Sequence, residues 1–81
     1  MITKKALMRA PSWAKFAAMD KNGIWSWYAK KPREGINFWG SSLGDPIPVK
    51  FKSPKVSDWT QSVIKISEIT FEDGETNELN G

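Results

Sequence analysis

Trp25, Trp27 and Trp39 lie close in the chain to Lys30, Lys31 and Arg33. Those residue types suit one kind of chemistry. Indole faces stack flat rings, and a base on an aromatic ring contributes about 1–3 kcal/mol. Ammonium and guanidinium groups grip phosphate oxygens through charge-assisted hydrogen bonds. Tyr28 falls between the two sets. Trp25, Trp27, Tyr28, Lys30, Lys31, Arg33 and Trp39 are therefore the candidate ligand-binding residues, for a ligand that carries both a flat base and phosphate.

Other chemistries lack their parts. The chain has no His and no Cys. That excludes disulfides, the common Cys/His zinc sites, and Ser-His-Asp or Cys-His nucleophiles. No glycine-rich phosphate loop or dinucleotide fingerprint is present. Asp20 sits in a turn signal and Asp58 at a helix-cap position, so each has a structural explanation. The expectation is a binder and not an enzyme, with no catalytic residue, no metal and no cofactor.

The chain has 81 residues, enough for a single domain. Five are Trp, with four Phe and one Tyr beside them. Large aromatics supply core area in a small domain without disulfides. Exposed ones stack ligands. Both uses are expected together, with two or three Trp in the core and one or two facing a ligand. Trp13 reads as a packing anchor, and Trp59 as core more than site. Charge is uneven. Residues 1–71 hold all 12 basic residues against Asp20, Glu34, Asp45, Asp58 and Glu68. Residues 72–81 hold Glu72, Asp73, Glu75 and Glu78 and read as a disordered acidic tail. A basic body attracts phosphates. No stretch reaches the ~20 apolar residues of a membrane span, and Met1–Arg9 has no signal-peptide core. The expected location is the cytoplasm, with no membrane partner.

Several short elements must position these groups. Residues 1–10 read as an N-terminal arm of a single domain over 1–71. Asp20-Lys21-Asn22-Gly23 is a turn signal between two strand-like runs, 14–19 and 24–30, which predicts an antiparallel hairpin. Alternation puts Trp25, Trp27 and Ala29 on one face and Ile24, Ser26, Tyr28 and Lys30 on the other. It does not say which face is inside. Tyr28 beside Lys30 suits a solvent-facing, phosphate-seeking surface. Lys30–Gly35 reads as a basic loop, and 36–40 as a short third strand. Residues 47–52 alternate, with Ile47, Val49 and Phe51 expected inward and Lys50 and Lys52 outward. Pro48 marks that strand as an edge or a bulge. Lys50 and Lys52 read mainly as a solvated face. Asp58 or Ser57 caps a short turn through Ser62, and the β-branched run 63–71 predicts a strand, with a helix over 58–66 as the alternative. The sum is a mainly β fold: a small twisted antiparallel sheet or partial barrel of four to five strands with one short helical turn. One small sheet has two faces to cover, which favours a curled barrel or a homo-oligomer.

Ala10-Pro11-Ser12-Trp13-Ala14, Ala18-Met19-Asp20-Lys21-Asn22-Gly23-Ile24-Trp25-Ser26-Trp27-Tyr28, Lys31-Pro32 and Asp58-Trp59-Thr60-Gln61-Ser62 together form a pattern over residues 10–62. It resembles small tryptophan-rich accessory proteins of tailed bacteriophages. The resemblance implies a phage protein in the host cytoplasm, of a kind that includes sponges for cyclic dinucleotides or related signals. The expected function is sequestration of a nucleotide signal to counter host antiviral defence. The alternatives are single-stranded RNA or DNA binding through the same surface, and docking on a host protein through exposed Trp and Arg.

Overall fold

A hairpin forms the centre of the molecule. Strand β1 (Phe16–Met19) pairs antiparallel with β2 (Trp25–Tyr28), matching Ala17 with Trp27 and Met19 with Trp25. The structure is a computed structural model that describes residues 2–69. The hairpin turn is the one that Asp20-Lys21-Asn22-Gly23 predicts. The Gly23 N–H donates to the Asp20 carbonyl at 2.9 Å and Gly23 has φ +88°, a left-handed conformation that closes a three-residue loop.

Strand β3 (Arg33–Glu34) and β4 (Trp39–Gly40) form a separate two-stranded hairpin. Strand β5 (Val49–Phe51) joins the free side of β2, and β6 (Ile64–Lys65) the free side of β1. The main sheet thus runs β5-β2-β1-β6, antiparallel throughout, and it is not a closed barrel. The fold is mainly β, as expected. β5 is the edge that Pro48 predicts.

Both faces of β2 are buried, which corrects the placing of Tyr28 on a solvent-facing surface. On one face Trp25 and Trp27 pack with Ala17, Met19, Ile2 and Ala6. On the other, Ala18, Tyr28 and Trp39 pack with Phe16, Trp59 and Val63. Each face is covered by a different part of the same chain. Helix α1 (Lys4–Leu7) closes the first. Residues 1–10 are therefore not a free arm in the part described. The Thr3 Oγ1 accepts from the Ala6 N–H at 3.1 Å and caps the turn. Ile2 and Ala6, four apart, point into the core together. The β3–β4 hairpin and the 3-10 turn Trp59–Gln61 close the second face. Asp58 caps that turn, its Oδ1 accepting from the Thr60 N–H at 3.0 Å.

Other differences have local causes. The run 63–69 pairs only at Ile64 and Lys65, then tightens into a 3-10 turn at Ile66–Glu68. Running antiparallel to β1, it would have to continue past Lys15, whose carbonyl accepts from the Ile66 N–H at 2.9 Å; there β1 has ended and the chain turns, with the Ala14 N–H donating to the Pro11 carbonyl at 3.0 Å. The other end of the pairing, beyond Ala17, is closed by side chains. The Ser62 Oγ accepts from the Met19 N–H at 2.8 Å, and the Trp39 Nε1–H donates to the Met19 carbonyl at 3.1 Å. Of the three residues expected inward, Phe51 packs against the core, while Ile47, before the start of β5, is 85% exposed and Val49, on the sheet's edge strand, is 44% exposed. The strand expected over 36–40 shrinks to Trp39–Gly40. Residues 70–71 of the expected last strand, and the acidic tail 72–81, lie outside the described residues. Among the described residues no helix is long and apolar enough to cross a membrane.

The Tyr28 hydroxyl is buried and donates to the Trp39 carbonyl at 3.1 Å. Burial first, then the negative charge of Asp20, push the phenol up to about 12, against a lowering by its hydrogen bond with Ser26. Between an unfolded value of about 10 and this folded one, the unfolded chain sheds the proton while the folded chain keeps it. Stability should therefore fall as pH climbs through that window and not below it. Urea unfolding from about pH 9 to pH 11 reads this. The expected midpoint drop is smaller in Tyr28→Phe; an equal drop in both proteins contradicts it.

Candidate functional site

The seven residues expected to form one surface are divided between the two faces of the sheet. Trp25 is 0% exposed and Trp27 is 1% exposed. The Trp27 ring is stacked on Phe51, with centroids 3.9 Å apart and planes at 14°. These two indoles offer no face to a ligand. Tyr28 and Trp39 lie on the opposite side of the sheet, also buried. Lys30, itself exposed, reaches the largely covered carboxylate of Asp45 at 3.7 Å. Arg33 is exposed on β3. Lys31 and Trp39 do meet, with Thr60, Gln61 and Val63, at a hollow of about 270 Å³. Stacking on Trp25 and Trp27 is therefore corrected to a core role, and the expected aromatic and cationic set is not assembled in one place. Trp13 and Trp59 are half-buried and pack against the core, as expected.

A different cationic cleft is assembled. It has a volume of about 520 Å³ and is lined by Gly23, Ile24, Lys50, Phe51, Lys52, Ser53 and Lys55. That size lies within the range of about 300–1,000 Å³ typical of small-molecule sites. Its lining holds three lysines and no carboxylate. None of the three is paired with a carboxylate among the described residues, where the ion pair is Lys30–Asp45. Ile24 is 39% exposed and gives the cleft an apolar wall beside the half-buried Phe51.

The buried tryptophans hold this cleft in place. Lys50 is opposite Ser26 and Phe51 opposite Trp25 in the β2–β5 register. Lys50 on β5 and Lys52 just past its end are two apart, so extended backbone sends them to the same side. Phe51, between them, is pinned by its stack on Trp27. The loop that follows is tied at three points. The Thr3 N–H donates to Ser53 Oγ at 3.2 Å, the Trp25 Nε1–H to the Pro54 carbonyl at 3.1 Å, and the Val56 N–H to Met19 Sδ at 3.4 Å. Lys55 is thus carried between two anchored residues. Its stem lies across Gly23, where a Cβ would collide with the Lys55 Cε and Cδ.

Gly23 therefore has two reasons to lack a side chain. Gly23→Ala should lower stability by about 1 kcal/mol or more through the positive φ, and should displace Lys55. Urea unfolding, with the Lys55 side-chain NMR signals, checks both. A variant as stable as the parent with Lys55 signals unmoved contradicts this.

Asp20 and Asp58 have the structural duties their positions suggest. The Asp20 Oδ1 accepts from the Trp39 N–H at 2.8 Å, and Asp58 caps the 3-10 turn. Among the described residues no cluster of carboxylates could hold a metal ion.

Sequence reasoning ranked Lys50 and Lys52 as a solvated face and gave Lys55 no role. A signal was present. From Pro46 to Ser57 the chain has three lysines and no acidic residue. Alternation already put two of them on one side of an edge strand.

The arrangement is that of a small β domain with an open, lysine-lined cleft at one sheet edge. Comparison with known protein families, curated proteins and solved structures finds no match to this chain.

Proposed function

We propose that this chain is a non-enzymatic protein that captures a phosphorylated nucleotide in the lysine cleft. The observation that carries this is the grouping of Lys50, Lys52 and Lys55 around one cleft whose lining has no carboxylate. A multiply charged phosphate is attracted to three lysines that line one cleft with no carboxylate among them. Lysine stems run along apolar surface while their heads reach for the anion. Ile24 and Phe51 supply such surface. Binding needs no catalytic group. A protein made in excess that releases slowly removes its ligand from circulation.

The resemblance to tailed-phage accessory proteins adds a context. The captured nucleotide would be a host signal, a cyclic dinucleotide or a relative, withheld from antiviral defence in the host cytoplasm. A second copy of the chain, closing over the ligand, would slow release further.

Thermal unfolding of the full chain against cyclic dinucleotides and linear nucleotides tests the reading. The midpoint should rise with ligand concentration, and the ligand should be recovered intact after denaturation. No shift across the panel contradicts nucleotide capture, and a chemically altered ligand contradicts a non-enzymatic role.

One observation favours a second reading. At the opposite sheet edge Lys15 and Lys65 flank another hollow, of about 280 Å³. Basic hollows at both edges suit a strand of RNA or DNA that crosses the domain. Affinity would then rise with oligonucleotide length and fall steeply with salt.

A further inference from the structure

If the lysine cleft holds phosphates, the base needs its own contact, and the tryptophans first expected to provide one are buried. Among the described residues, Phe38 is the aromatic side chain with most of its surface in solvent, at 58%. The other aromatic rings are buried or half-buried.

Phe38 is also fixed in place. It stands at the end of the β3–β4 hairpin, where the Gly35 N–H donates to its carbonyl at 2.8 Å. Its two chain neighbours are both bonded to the β1–β2 turn. The Lys21 N–H donates to the Asn37 carbonyl at 3.1 Å, and the Trp39 N–H to the Asp20 Oδ1 at 2.8 Å. Trp39 points into the core, so alternation turns Phe38 outward. The far end of the same turn is Gly23, which lines the lysine cleft. One turn therefore carries, at Asp20 and Lys21, the bonds that hold the chain on either side of Phe38 and, at Gly23, one wall of the lysine-lined cleft.

We infer that Phe38 is the base-stacking residue for the nucleotide whose phosphates occupy the cleft of Lys50, Lys52 and Lys55. This rests on the nucleotide reading and deepens it. The ligand class it names is one with an aromatic base at one end and a phosphate chain at the other. Bare phosphate chains bind the same cleft without the added contact. The binding is selective for a base but tolerant of which base, since a phenyl ring stacks any of them.

The test compares ATP with inorganic tripolyphosphate, which has the charge but no base, by titration calorimetry of the full chain without divalent metal. The parent protein should bind ATP about tenfold more tightly, the factor expected for one stacked base. Phe38→Ala should bring ATP down to the affinity of tripolyphosphate, and Phe38→Tyr should keep the difference. Because Phe38 is exposed, its thermal midpoint should stay near that of the parent, which separates lost stacking from lost fold. Equal binding of the two ligands by the parent overturns the role of Phe38 and leaves phosphate capture standing. An ATP preference that survives in Phe38→Ala does the same. If the parent binds neither ligand, the cleft reading fails, and this inference fails with it.

Discussion

Alanine in place of Trp27 should cost the domain about 3–5 kcal/mol, the usual penalty for emptying a buried aromatic site. That is a large part of the 5–15 kcal/mol or so that holds a typical domain together, and an 81-residue chain has little in reserve. The loss has two parts. The indole leaves a cavity against Ala17 and the rest of the first core cluster. Phe51 loses the ring on which it stacks at 3.9 Å, so β5 is loosened along with the core. Trp27→Phe should cost less, because a ring remains. Urea unfolding followed by circular dichroism gives the comparison. A Trp27→Ala protein within about 1 kcal/mol of the parent would contradict a core role for this indole.

The second large effect concerns binding, with stability as its control. Replacing Lys50, Lys52 and Lys55 together by Gln should weaken nucleotide binding at least about 100-fold, since each ammonium–phosphate bond contributes on the order of 1.5–3 kcal/mol. All three residues are exposed, so the folded state should be little affected. Single replacements should each lose part of the affinity. Calorimetric titration alongside thermal unfolding separates the two quantities. Unchanged nucleotide affinity in the triple variant would remove the cleft from the account.

Much of the local structure was legible in the residues. The Asp20–Gly23 turn follows from its Asn-Gly step, and the edge position of β5 from Pro48 and its lysines. The cap at Asp58 follows from its place before a short turn. The two faces of β2 were also separable, because alternation is a property of the strand alone. What it cannot supply is which face meets water. For β2 neither does, since α1 covers one and the β3–β4 hairpin the other. A hint was there: Phe16–Met19 and Trp25–Tyr28 contain no charged residue, as expected of central strands. Ile2 and Ala6 show too short a pattern to announce a docked helix. The strand expected after Val63 needs a partner running on before Phe16, and β1 starts there, so pairing stops at Lys65 with one further bond from the Ile66 N–H to the Lys15 carbonyl. The candidate site failed for a related reason. Nearness in sequence between Trp25, Trp27 and the Lys30–Arg33 stretch is not nearness on one surface, because both indoles face the interior. The cleft is instead built from residues 23–24 and 50–55, distant in the chain and joined by strand pairing. The tryptophans contribute at one remove, since they hold Phe51, between Lys50 and Lys52, and Pro54, between Lys52 and Lys55.

The central claim is that anions enter this cleft and not another part of the surface. Amide NMR of the full chain, titrated with ATP, locates the contact directly. The shifts should concentrate at Gly23, Ile24 and the Lys50–Lys55 stretch, with Phe38 moving as well and the Lys31–Trp39 hollow quiet. Shifts that gather around Lys31, Thr60 and Gln61, or no saturable shifts at any residue, would contradict the account.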